Sequence, residues 1–153
     1  MATRARVQVA DLQRLWRGRA RAAAAARHVL ESEGRPEAAL SVALVDDARI
    51  ARVHEEWLGV PGPTDVVSFP LDDAHDDTLG EVVVSTETAA REARERGIEV
   101  GEEVLRYVVH GTLHLLGYDD RRPAERRRMH ARQEVLLREA LAARSRGRKR
   151  RAR

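Results

Sequence analysis

The chain has 153 residues, no cysteine and a formal net charge of +3, long enough for one domain with its own core but without disulfides or thiolate metal sites. The charge is uneven: residues 1–27 carry +6 and residues 144–153 (RSRGRKRRAR) carry +7, so residues 28–143 carry −10. No apolar run approaches the ~18 residues of a membrane-spanning helix, which excludes a membrane partner of that kind.

The arginine-studded N-terminus has no apolar signal region, and a cytoplasmic location is expected. Basic ends on an acidic body point to an anionic partner such as nucleic acid, bound by phosphate neutralisation; the alternative for the tail is a solvated, solubilising segment. One domain over residues 1–143 followed by a disordered basic tail over 144–153 is the expected organisation.

In chain order, VQVA (7–10) predicts a short edge strand and residues 12–34 a helix, with Leu12, Leu15, Trp16, Ala20, Ala23, Val29 and Leu30 as its apolar stripe and Gly34 and Pro36 as its stop. ALSVALV (39–45) predicts a buried strand. Residues 48–59 follow as a helix carrying Ile50, Val53, Trp57 and Leu58 at helical spacing. TDVVSFP (64–70) and LGEVVVS (79–85) predict two more strands around an acidic loop that contains His75. Three helices then cover 85–97, 101–117 and 123–145, the first capped by Ser85 and ended by Gly97, the last carrying Pro123 in its first turn. The order predicts an α+β fold: a small mixed β-sheet of about four strands covered by about five helices.

The chemistry concentrates in HGTLHLLGYDD (110–120). His110 and His114 are four apart, so one helical face carries both imidazoles. Gly117 lets the chain leave the helix and fold back, which can bring Asp120 to a third corner. Any metal here must use His, Asp or Glu. Two imidazoles and one carboxylate suit Zn²⁺ with water in the fourth position, and that water is the one catalytic group the residues assign. Asp119 is the alternative third ligand; its other role is to fix the turn or to hydrogen-bond a ligand histidine. The spacing is similar to the HExxHxxGxxH zinc site of metzincin proteases, but Gly111 stands where those enzymes have their glutamate base.

HGTLHLLGYD resembles the HGxLHLxGYDH signature of the YbeY family of bacterial single-strand endoribonucleases. LSVALVDDARI, TDVVSFP, LGEVVVS and MHARQEVLL (129–137) resemble further family segments in the same order, so that the resemblance covers roughly residues 38–140. It implies an α+β fold, one zinc per chain, a substrate of single-stranded RNA, and a role in rRNA maturation (the 16S rRNA 3′ end) and ribosome quality control, with the ribosome and ribosomal proteins as partners. By position the ligands fall on His110, His114 and Asp120, where the family usually has histidine in the third place. Leu58 stands where many members have an arginine, and His54 where they have asparagine; His54 is read as a helix-surface residue. Thr64, Asp65 and Ser68 are expected to shape a strand mouth near the cleft. Arg121, Arg122 and Arg126, with Arg127 and Arg128, are candidates for phosphate contact, and His130 is read as a surface residue. Two other functions fit the same residues: an RNA- or ribosome-binding assembly factor with a structural metal, and a minimal zinc metalloprotease.

Overall fold

A computed structural model describes residues 4–71 and 78–151, with side chains through residue 143. Strands β1 (Arg6–Asp11), β2 (Ala39–Val45), β3 (Val66–Pro70) and β4 (Thr78–Ser85) alternate with helices α1 (Arg19–Ser32), α2 (Asp47–Leu58), α3 (Thr86–Arg96), α4 (Val100–Leu115) and α5 (Pro123–Arg151) in the order β1-α1-β2-α2-β3-β4-α3-α4-α5. The sheet runs β1-β2-β4-β3. β1 with β2 and β2 with β4 are parallel, and β3 pairs antiparallel with β4 at the edge. The expected mixed four-stranded sheet and five helices are present.

Side chains alternate across the sheet, as strand geometry requires. Leu40, Val42, Leu44, Val82 and Val84 join the core made with Ala22, Ala25 and Ala26 of α1 and Val104, Leu105 and Val108 of α4. Ala43, Val45, Val67 and Val83 point the other way and pack with Ile50 of α2. Helix α4 lies at the centre, touching α1, α3, α5, β3 and β4. Its buried Glu103 is held by Arg96 at 2.9 Å and Arg106 at 3.0 Å, which offsets the cost of a carboxylate in the interior.

Three expectations are corrected. Residues 12–18 are irregular and α1 begins only at Arg19. The Gln13 carboxamide captures that segment, accepting from Trp16 N at 2.9 Å and donating to Trp16 O at 2.7 Å, local bonds that compete with a helix. Leu12 and Leu15 therefore stay 47% and 49% exposed, and the buried stripe of α1 is Ala22, Ala25, Ala26, Val29 and Leu30. In α2 only Ile50 is buried; Trp57 and Leu58 are exposed, Trp57 resting on Phe69 of the edge strand β3. Helix α5 runs in backbone to Arg151, past the end expected near 145, since arginine favours helix and the one glycine in the run costs only about 1 kcal/mol. The loop containing His75 lies outside the described residues.

Local chemistry positions α2. Asp46 caps it, accepting from Arg49 N at 2.9 Å. Asp47 ties it to the start of α3, accepting from Ser85 Oγ at 2.6 Å, Thr88 Oγ1 at 2.7 Å and Arg91 at 2.7 Å. Burial alone would raise the Asp47 pKa, but these donors outweigh it and hold the group below its ordinary value. A depressed carboxylate stabilises the fold above its unfolded pKa and loses that contribution as pH falls through the folded value. Asp47→Ala should thus lower unfolding free energy by about 1–3 kcal/mol at neutral pH, and the gap from wild type should close as pH drops below 3.8. Urea unfolding at neutral and acid pH measures both; a gap that does not change with pH would rule out the carboxylate as its source.

Candidate metal centre

Helix α4 presents His110 and His114 one turn apart, their rings edge to face with centroids 4.7 Å apart. The helix then stops by a glycine turn: Gly117 takes φ 102°, Gly117 N bonds His114 O at 3.0 Å and Tyr118 N bonds Leu113 O at 3.1 Å. The returning loop is pinned at each step. Tyr118 donates its hydroxyl to Glu33 at the end of α1. Asp119 accepts from Arg121 N at 3.0 Å. Arg126 Nε donates to Asp120 O at 3.1 Å. Asp120 Oδ2 thereby arrives 3.3 Å from His114 Nε2 and 3.9 Å from His110 Nε2, and one ligand atom from each of the three residues lies within 4.8 Å of the others. Ligand atoms about 2.1 Å from a tetrahedral ion stand about 3.4 Å apart, so the spacing suits one metal ion.

The hydrogen bonds decide which ring nitrogens face inward. His110 Nδ1 meets Gln133 Oε1 at 2.7 Å and His114 Nδ1 meets the Tyr118 carbonyl at 3.1 Å. Both oxygens only accept, so both Nδ1 atoms donate. Both Nε2 atoms are left with lone pairs turned toward a carboxylate. Three acceptors converge with no donor among them, which is the environment of a cation. Burial, followed by the neighbouring His114, pulls the His110 pKa below the usual imidazole value, despite the opposing bond to Gln133, keeping the ring neutral as a metal ligand must be.

The cluster opens onto a cavity of about 690 Å³ walled by His54 and Leu58 of α2, by Asp65 and by Val66, Ser68 and Pro70 of β3. Asp65 and Ser68 are thus at the cleft. Ser68 Oγ also donates to Gly111 O at 3.1 Å. Thr64 faces a separate depression beside Glu92 and Tyr107. His54 bonds Gly62 O at 3.1 Å and walls the cavity without joining the ligand group. Asp119 is paired with Arg121 at 2.9 Å and stands outside the group too. Arg121, Arg122 and Arg126 are exposed along the loop and first turn after Asp120, as are Arg127, Arg128 and His130 on α5.

Gln133 received no role from the sequence. Its trace there is a polar residue inside the apolar stripe Met129, Leu136, Leu137 of α5, and it is 6% exposed. Its amide donates to Glu134 at 3.1 Å, and Glu134 is gripped by Arg106 at 3.0 and 3.2 Å. Arg106 sits one turn before His110, so this chain of bonds returns to the helix that carries the ligands.

Fold and cluster together define a small α+β protein with a group of side chains, on a helix and the loop that follows it, that could hold a metal ion. Residues 6–141 match the family described as Endoribonuclease YbeY. The chain belongs to the YbeY endoribonuclease family. It is 50% identical over 110 residues to an Endoribonuclease YbeY of Anaeromyxobacter sp. (strain Fw109-5), covering 71% of this chain and 57% of that protein's length. It is 44% identical over 132 residues to that of Beutenbergia cavernae, covering 80% and 88%. The solution structure of TM1509 from Thermotoga maritima superposes with a TM-score of 0.65 at 24% identity, over 90% of each chain, a likeness of fold. Among the described residues no helix is long and apolar enough to cross a membrane.

Proposed function

We propose that this protein is a zinc-dependent endoribonuclease that cuts single-stranded RNA in rRNA maturation, including the 16S rRNA 3′ end, and in ribosome quality control in the cytoplasm, with His110, His114 and Asp120 as the ligands of one zinc. The observation that carries the reading is the convergence of two imidazole lone pairs and one carboxylate at an open cavity. Family membership supports the choice of RNA phosphodiesters. When bound, zinc supplies Lewis acidity toward the phosphodiester and lowers the pKa of a coordinated water.

The chain's own residues do the rest. Gln133 and the Tyr118 carbonyl hold the two rings in the tautomer that faces the cavity, and the pinned loop delivers Asp120. Aspartate in the third place adds a negative charge relative to histidine, so the centre is a weaker Lewis acid with greater tolerance of hard metals. Arg121, Arg122 and Arg126 are exposed in the residues directly after Asp120 and are the candidates to neutralise phosphates of a bound strand.

Among the described residues three side chains would hold the metal, one fewer than a closed structural site uses, which favours catalysis over a structural metal. Residue 111 speaks against a protease: a side chain there would aim into Val82, Ser68 and Val66, so the glutamate of the metzincins has no place to act from.

The test is zinc content per chain paired with cleavage of a single-stranded RNA. Wild type should hold about one zinc; Asp120→Ala should lose metal and cleavage together, and Asp120→His should retain both. Metal and activity persisting in Asp120→Ala would remove Asp120 from the site. A wild-type chain that binds zinc and never cuts RNA would favour the binding-factor reading.

A further inference from the structure

Beside the cavity several large apolar side chains are exposed. Trp57, Leu58, Val60 and Leu71 are 70%, 56%, 45% and 51% exposed. They come from the last turn of α2, the loop after it and the residue after β3. Leu58 itself walls the cavity. Trp57, its neighbour in sequence, rests on Phe69 of β3, ring centroids 5.7 Å apart and planes at 55°. The indole is therefore braced from one side and open on the other.

Magnitudes choose the occupant. An aromatic side chain offers at most about 250 Å², so these four residues present a few hundred Å² together. A stable protein interface needs about 800 Å² from each partner. Even together the four are too small for that, and Leu58 links them to the cleft that holds His110, His114 and Asp120. One braced aromatic plane with an aliphatic neighbour at the mouth of a cleft is how proteins hold the unstacked bases of single strands.

We propose that Trp57, braced by Phe69 and flanked by Leu58, is a stacking platform for an unpaired nucleobase of the RNA strand lying across the His110–His114–Asp120 cleft. The inference rests on the nuclease reading and adds a base-binding subsite to it.

The experiment uses the full chain stripped of metal, so that binding is read apart from cleavage, with single-stranded oligoribonucleotides of about ten residues, a typical site size. Trp57→Ala should bind about tenfold more weakly, and Trp57→Phe should keep most of the affinity. Indole emission should be quenched by RNA in wild type and not in Trp57→Phe, where Trp16 remains as internal reference. An abasic nucleotide moved along the strand should weaken wild type at one position and cost Trp57→Ala nothing further. If Trp57→Ala binds every strand as wild type does and zinc-loaded protein still cuts RNA, the platform is wrong and the nuclease stands. A loss of affinity equal for normal and fully abasic strands would assign Trp57 to backbone contact and overturn stacking. If wild type neither binds nor cuts RNA, the nuclease reading falls and takes the platform with it.

Discussion

Gly111→Ala should destabilise the protein by about 1–2 kcal/mol, although the same change in an open helix would stabilise it by about 1 kcal/mol. The sign separates the two effects. A β-carbon at residue 111 would stand 2.5 Å from Val82 Cγ1, 3.0 Å from Ser68 Oγ and 3.2 Å from Val66 Cγ2. Val82 is fully buried and β-branched, so it cannot swing aside. Helix α4 would have to lift off the strands that place His110 beside the cavity. Gly111→Glu should be worse still, since it also drives a charge into the interior. Chemical denaturation of both variants is the measurement. An alanine variant more stable than wild type would mean that α4 does not sit this close to the sheet.

Gln133→Leu should weaken zinc binding about 10- to 100-fold, the usual cost of losing the group that orients a ligand imidazole. The substitution keeps the volume and removes the acceptor for His110 Nδ1. Gln133→Glu restores an acceptor and should recover much of the affinity, even with Glu134 beside it. Competition against a chelator gives the affinities. A second readout is independent of the metal: nitrogen NMR of the histidine rings should find His110 with its proton on Nδ1 in the wild-type apo protein, and a mixture of tautomers in Gln133→Leu. Unchanged affinity together with an unchanged tautomer would show that Gln133 is packing alone.

Together these residues explain what kind of centre this is. Asp120 reaches the site on a loop pinned by Glu33, Arg121 and Arg126, whereas the histidines are fixed by a helix that the sheet and three other helices enclose. The aspartate is the adjustable member. Its side chain is 43% exposed against 29% for each imidazole, and with zinc bound its negative charge would lower the Lewis acidity of the centre.

Much of this was legible without coordinates where the deciding interactions are local. Strands β2 and β4 are short apolar runs with β-branched residues. Helices α2 and α3 are bounded by Asp46 and Ser85 at one end and by Gly59 and Gly97, both at φ 67°, at the other. The i, i+4 spacing of His110 and His114 and the glycine turn at Gly117 carry the site on their own, because helix geometry alone puts the two rings together. Tertiary structure decided the rest. Gln13 captured the backbone of residues 12–18 that periodicity assigned to a helix. The two aspartates differ only through their neighbours: Arg121 takes Asp119, and the turn points Asp120 at the imidazoles. Gln133 reads as a flaw in an apolar stripe until α5 is laid against α4. Trp57 and Leu58 read as core at helical spacing, yet the folded chain buries only Ile50 of α2. In each case the deciding partner is distant in the chain or absent where one was expected, and spacing along a sequence carries no information about either.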